Sequence, residues 1–187
     1  MLLHKHLPHL EVHVDGMGKR VAKLQMEHPE TLRDPAALEA AWSWCRRVSS
    51  KSDRKKALAA DVIVSTSGML DGGPSIWYLN RLRHDPKNAL LLTGYQARNT
   101  GGRRLLEESR IPIFGNLTPI DLEIDQYSFS THAGHSEIVQ FAKDCEAEDV
   151  VIYHSDPNIA RPPLAKALEE NGHNVHVPEN GISGILE

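Results

Sequence analysis

From residue 62 onward the chain repeats one plan: a short β-rich run, a polar or Gly-rich loop, then a helical pattern. The runs are Val62-Ile63-Val64, Ala89-Leu90-Leu91-Leu92, Ile120-Asp121-Leu122-Glu123-Ile124 and Val150-Val151-Ile152-Tyr153. Helices are expected at about 74–84, 102–109, 136–145 and 159–171. Three of the runs are continuously apolar, which predicts strands buried on both faces of a mostly parallel α/β sheet flanked by helices. The alternating run at 120–124 predicts antiparallel pairing or an edge position. Upstream, Leu10-Glu11-Val12-His13-Val14 reads as a strand and residues 16–27 as a helix. Asp34-Pro35 opens another helix, with Asp34 as N-cap, and residues 51–60 form a short basic one capped by Ser52 or Asp53. Val175-His176-Val177 is a last short strand. Pro112, Asn116 and Pro119 mark a boundary near residue 118, dividing the chain into domains 1–118 and 119–187.

In such sheets ligands bind beyond the carboxyl ends of the strands, where helix N-termini present N–H groups. The residues following the strands suit that role. Ser65 to Pro74 brings hydroxyls and glycines, and Thr93 to Arg104 adds three arginines, Tyr95 and another Gly-rich turn. Ser128 to His135 and His154-Ser155-Asp156 add histidines. This composition suggests a phosphate-bearing ligand at one rim. The site must be local, because 21 Lys plus Arg against 25 Asp plus Glu give a net charge of −4 and no global basic field. No apolar run approaches the roughly 20 residues that span a bilayer, and the opening residues do not resemble a signal peptide. Cys45 and Cys145 form neither a CxxC pair nor a disulfide framework. A cytoplasmic protein without membrane contact is expected.

At these loops a family resemblance enters. The stretch VIVSTSGMLDGGPSIWYLNRL, followed by KNALLLTGYQARNTGGR, is similar to the hallmark region of the β-CASP branch of metallo-β-lactamase-fold nucleases. FSTHAGH resembles that family's motif B, commonly Ser-Ala-His-Ala-Asp, and VVIYHSD resembles motif C, a strand ending in His-Gly-Glu. The opening LPHLEVHVDGMGKRV resembles the family's Pro-Ile-Tyr-Val-Asp-Gly-like strand and helix. The family includes archaeal and eukaryotic mRNA 3′-end processing nucleases and bacterial ribonuclease J, and the archaeal type looks most similar. The implied fold is a Rossmann-like β-CASP sheet in residues 1–118, incomplete at its N-terminal side. The C-terminal strands and helices of a metallo-β-lactamase fold, an RNA-specificity segment, then occupy 119–187.

The resemblance implies a dinuclear zinc phosphodiesterase acting on RNA, with two Zn²⁺ ions polarising the scissile phosphate. Carried over by motif, His154 would be a zinc ligand. His132 would contact the phosphate or protonate the leaving oxygen, a task for which an imidazole is suited. Ser67, Gly68, Thr100 and Arg103 would track RNA phosphates. Gly134 stands where motif B usually has Asp, which removes a carboxylate partner for His132, and Ser155-Asp156 replaces Gly-Glu.

Such a centre also needs a His-x-His-x-Asp-His motif, yet no Asp-His dipeptide occurs anywhere in the sequence. His4-Lys5-His6 is followed by Leu7-Pro8 and reads as an exposed terminal segment. The chain therefore reads as the C-terminal part of a longer enzyme. It supplies at most one zinc ligand and is expected to be inactive alone, working with a second copy or a partner chain that supplies the metallo-β-lactamase half. The alternative is a non-catalytic RNA-binding or scaffolding subunit with the same fold. A nucleotide-binding domain unrelated to nucleases is disfavoured, since neither a Walker motif nor GxGxxG occurs.

Other candidates have plainer readings. His13, His28, His84, His173 and His176 read as structural or solvated, and His135 as a neighbour of the site or a helix cap. Trp42, Trp44, Trp77, Tyr78 and Phe141 read as core or domain-contact residues, and Tyr95 as a ring available for base stacking. Lys51, Arg54, Lys55 and Lys56 read first as a solvated helix face and second as an RNA-tracking stripe.

Overall fold

The computed structural model describes residues 1–129, 132–179 and 181. They belong to two compact units that divide between Phe129 and Ser130. Unit 1 runs α1 (Leu2–His6), β1 (Val12–Asp15), α2 (Gly18–Glu27), α3 (Pro35–Trp44), β2 (Arg46–Arg47), α4 (Lys51–Lys56), β3 (Val62–Ser65) and α5 (Gly73–Leu82). It continues with β4 (Ala89–Leu92), α6 (Gly101–Glu108), β5 (Arg110–Ile113), β6 (Asn116–Pro119) and β7 (Glu123–Gln126). Unit 2 contains α7 (His135–Asp144), β8 (Asp149–Val151), α8 (Arg161–Glu169) and β9 (Asn174–His176).

Local chemistry explains the boundaries. Asp34 caps α3 by accepting the Ala37 N–H at 2.9 Å, with Pro35 pre-set in the first turn. The α4 cap is Ser50 rather than Ser52 or Asp53. Ser50 Oγ accepts the Asp53 N–H at 3.0 Å and Asp53 accepts the Ser50 N–H at 2.9 Å, a reciprocal capping box.

β1 is the centre of a parallel sheet between β2 and β3, β4 pairs in parallel with β7, and β8 pairs in parallel with β9. The mixed α/β class with parallel sheets is thus as expected. Three particulars differ. Of the run at 120–124 only Glu123 and Ile124 enter a ladder, as the start of β7, which is parallel to β4 and not antiparallel, though it does lie at an edge of its two-stranded sheet. This strand, beyond the expected junction at 118, lies in unit 1. The antiparallel pair is instead β5–β6, closed by Phe114-Gly115 with φ of 50° and 82°, a type I′-like hairpin where the sequence suggested only a boundary. Burial on both faces is also not found. In β4, Leu92 is buried while Leu91 is 55% exposed, and Val64 and Val151 are exposed as well. A continuous apolar run does not disclose which of its faces is covered.

The main core of unit 1 gathers Ile76 and Leu79 of α5, Leu92 of β4, Leu105 of α6, and Ile111 and Ile113 of β5. A second cluster joins Val48, Ala57 and Tyr78 under α4. Unit 2 packs Ala142, Ile152 and Leu168 between its helices and strands. Phe141, read as a core or domain-contact residue, is 69% exposed and so is not core. Among the described residues, no helix is long and apolar enough to cross a membrane.

Candidate nucleic-acid interface

The β3–α5 and β4–α6 loops both leave the carboxyl ends of their strands, and backbone bonds stitch them together. The Gly101 N–H donates to Asp71 Oδ1 at 2.7 Å, and the Gly102 N–H donates to the Met69 carbonyl at 2.7 Å. That approach needs glycine at 101, since a Cβ there would collide with the Leu70 carbonyl oxygen. Between the loops lies a cavity of about 460 Å³, lined also by Arg54 from α4, Trp77 from α5, Arg104 from α6 and Phe114 from the hairpin tip. Two guanidinium groups and two aromatic rings thus share one concavity beside a helix N-terminus.

Arg54 is held there by a buried carboxylate. Asp15, 1% exposed at the end of β1, accepts from Arg54 Nε at 2.7 Å and Arg54 Nη2 at 3.2 Å, from the Tyr78 hydroxyl at 3.0 Å and from the Gly16 N–H at 2.7 Å. Burial alone would raise the Asp15 carboxyl, but the bonds from Arg54, Tyr78 and Gly16 outweigh it and hold it below the usual carboxylate range. Burial, reinforced by Asp15, pushes the Tyr78 hydroxyl above its ordinary value. Asp15 in turn raises Arg54. The pair orients the guanidinium, which also lies 5.6 Å from the centroid of Trp77. Arg54 is therefore not part of a solvated basic stripe.

The residues expected to track phosphate are distributed unevenly. Thr100 lines the cavity as the α6 N-cap, accepting the Arg103 N–H at 3.3 Å and donating to the Ala97 carbonyl at 2.7 Å. With Gly101, Gly102 and Arg103 N–H groups all bonded within the chain, the first turn of α6 does not offer the free donors that the sequence suggested. Ser67, Gly68 and Arg103 lie outside the cavity lining. Ser67 adopts φ of 72° and accepts from the Leu70 N–H and the Ser75 hydroxyl, both at 3.0 Å, against the start of α5. A Cβ at Gly73 would fall 2.6 Å from Ser67 Oγ. Gly68 has open space where a Cβ would be, so nothing within the chain demands glycine there. Arg103 Nε pairs with Glu107 Oε1 at 2.6 Å on the exposed face of α6.

Sequence reading placed Arg104 at the rim only as one of three arginines in its loop and Arg54 only in an RNA-tracking stripe, and it missed Trp77 and Phe114 as cavity residues. Arg54 was hidden in a basic run. Its signal was Asp15 at the end of a strand, a carboxylate needing a cation if buried.

In unit 2, His132 is exposed, and Ser130 and Thr131 of the same motif lie outside the described residues. His154 is exposed with φ of 57°, a left-handed backbone uncommon for a non-glycine residue. Asp156 Oδ1 accepts the Asn158 and Ile159 N–H groups, both at 2.9 Å, which shapes the turn after His154. His135 opens α7, and its Nε2 meets the Pro163 carbonyl at 3.3 Å. Gly134 is the N-cap, its N–H bonded to Glu137 at 2.6 Å.

A zinc site needs about three or four protein ligands drawn together. Among the described residues, no group of three or more His, Cys, Asp or Glu is placed to hold a metal ion. The described residues alone therefore do not complete a zinc centre.

Comparison with known proteins agrees with the mixed α/β fold. Residues 1–105 match the Beta-Casp domain, and residues 118–178 match the Zn-dependent metallo-hydrolase RNA specificity domain. The chain belongs to the Beta-Casp family, in its C-terminal part. It is 35% identical over 175 residues to a protein named probable RNase MJ4 from Methanocaldococcus jannaschii, covering 91% of this chain and 41% of that protein. It is also 35% identical over 172 residues to RNase aCSPSF2 from Saccharolobus solfataricus, covering 91% of this chain and 35% of that one. Transcription termination factor FttA from Methanosarcina mazei is 29% identical over 170 residues, 80% of this chain and 27% of its own length. The chain thus spans about two-fifths or less of these relatives.

Proposed function

We propose that this chain is the RNA-gripping C-terminal part of a zinc-dependent RNA-processing nuclease that hydrolyses phosphodiester bonds. One observation carries the reading: two strand-end loops of a Beta-Casp domain are stitched together around a cavity lined by Arg54 and Arg104. The names of the relatives, ribonucleases and a termination factor, support RNA as the substrate class. Residues 1–118 act as the β-CASP domain and 119–187 as the return to the metallo-β-lactamase fold. Ser67, Gly68, Thr100 and Arg103 contact successive phosphates. His132 contacts the scissile phosphate or donates a proton to the leaving oxygen, and His154 contributes one ligand to a centre of two zinc ions. The remaining ligands come from a metallo-β-lactamase half in a longer chain, a second copy or a partner chain. The working compartment is the cytoplasm.

Fluorescence anisotropy of this chain with a labelled single-stranded RNA at several salt concentrations tests the reading. Binding should weaken with salt, the log–log slope reflecting several phosphate contacts at about −0.7 each. Binding that ignores salt, or no binding at low salt, would reject it.

A further inference from the structure

We propose that the cavity between the β3–α5 and β4–α6 loops is a mononucleotide subsite, the base stacking on Phe114 and the phosphate meeting Arg104 and Arg54. This deepens the RNA reading and rests on it, but it names a particular nucleotide-sized site and the ring that reads it.

Phe114 is the least expected residue in the cavity wall. It occupies the first turn position of the β5–β6 hairpin with φ of 50°, where Asn or Asp fits at little cost and a bulky side chain does not. It is also 78% exposed, so no core burial repays that choice. A residue that breaks the local turn rule without a packing gain points to a role outside folding. Its position in the wall of a cavity of about 460 Å³, within the range of small-ligand sites, supplies that role.

The other walls complete the chemistry. One face of Trp77 is covered by the Arg81 guanidinium at 3.6 Å, which leaves Phe114 as the open stacking surface. Arg104 is half-exposed, and its contact to Glu108 is long at 3.7 Å, so its fork is available for an anion. Arg54 is fixed by Asp15 through Nε and Nη2, with Nη1 outside that pairing. Asp71 uses Oδ1 for the Gly101 N–H, and Asn99, with φ of 64°, places an amide at the same wall. Those two groups suit the polar edge of a base. Planar ring, paired cations and amide together select a nucleoside phosphate over a bare anion.

The test is a nitrogen-15 NMR titration of the full chain with guanosine 5′-monophosphate, guanosine and inorganic phosphate, following the Trp77 indole N–H. Separate titrations use a hexaribonucleotide with and without one abasic position. The nucleotide should bind more tightly than nucleoside or phosphate, and the abasic oligonucleotide more weakly than the intact one. Phe114→Asn should leave the fold intact, because Asn suits the turn, yet weaken nucleotide binding at least about tenfold. Arg104→Gln should weaken the nucleotide but not the nucleoside. If the hexaribonucleotide binds and neither the nucleotide nor Phe114→Asn matters, the subsite is rejected while the RNA reading stands. Phosphate binding as tightly as the nucleotide also rejects it. If nothing binds, both fall.

Discussion

Replacing Asp15 with alanine should destabilise unit 1 by about 3–4 kcal/mol. Asp15 is 1% exposed and is the shared acceptor for Arg54, Tyr78 and the Gly16 N–H. Truncation leaves the Tyr78 hydroxyl, in a residue 4% exposed, without its acceptor, a loss of about 1–3 kcal/mol. It also strands the Arg54 cation. Breaking a fully buried pair costs roughly 3–5 kcal/mol, but the Arg54 side chain is 32% exposed and recovers some hydration, which places the total near the lower end. Asp15→Asn keeps an acceptor for Tyr78 and should lose only about 1–2 kcal/mol. All three tryptophans, Trp42, Trp44 and Trp77, lie in unit 1, so urea unfolding followed by tryptophan fluorescence reports this unit. The folded-state Asp15 carboxyl is lowered, so its contribution is present above the unfolded value near 3.9 and fades as pH falls through the folded value. Asp15→Asn should therefore flatten the acid limb of the stability curve. If Asp15→Ala unfolds within about 0.5 kcal/mol of the parent chain, the carboxylate does not organise the site as described.

Two further perturbations probe the loops. Gly101→Ala should destabilise unit 1 by about 1–3 kcal/mol because its Cβ meets backbone at Leu70, whereas Gly68→Ala should leave stability unchanged. Equal urea midpoints for the two variants would contradict the stitched-loop geometry. Arg103→Gln removes one proposed phosphate contact and should flatten the salt dependence of RNA binding by about 0.7 in slope. An unchanged slope in the anisotropy titration would remove Arg103 from the set of phosphate contacts.

Much of the fold was legible because its signals are local. Asp34-Pro35 starts a helix by chemistry that operates within four residues, and the run at 89–92 becomes β4 with the expected bounds. The β5–β6 hairpin was not legible, because Phe114-Gly115 is a poor match to the Asn-Gly signature and Pro112 and Pro119 read as breakers. Parallel or antiparallel pairing of β7 depends on a partner over thirty residues away, which alternation in its own run does not encode. Within the site, motif resemblance found the loops but not the walls. Arg54 and Phe114 reach the cavity from α4 and a hairpin tip, elements whose approach is set by tertiary packing. Similarly, the side-chain pairing of Arg103 with Glu107 follows from helical spacing that a loop-centred reading passed over.

On the proposed function, this stretch grips RNA and leaves the remaining metal ligands to the other half of the nuclease. The most direct measurement incubates the purified chain with end-labelled RNA at concentrations where anisotropy shows it bound, with added zinc, with and without EDTA. The account predicts bound, uncut RNA in both conditions. Cleavage that appears with zinc and disappears with EDTA would contradict it.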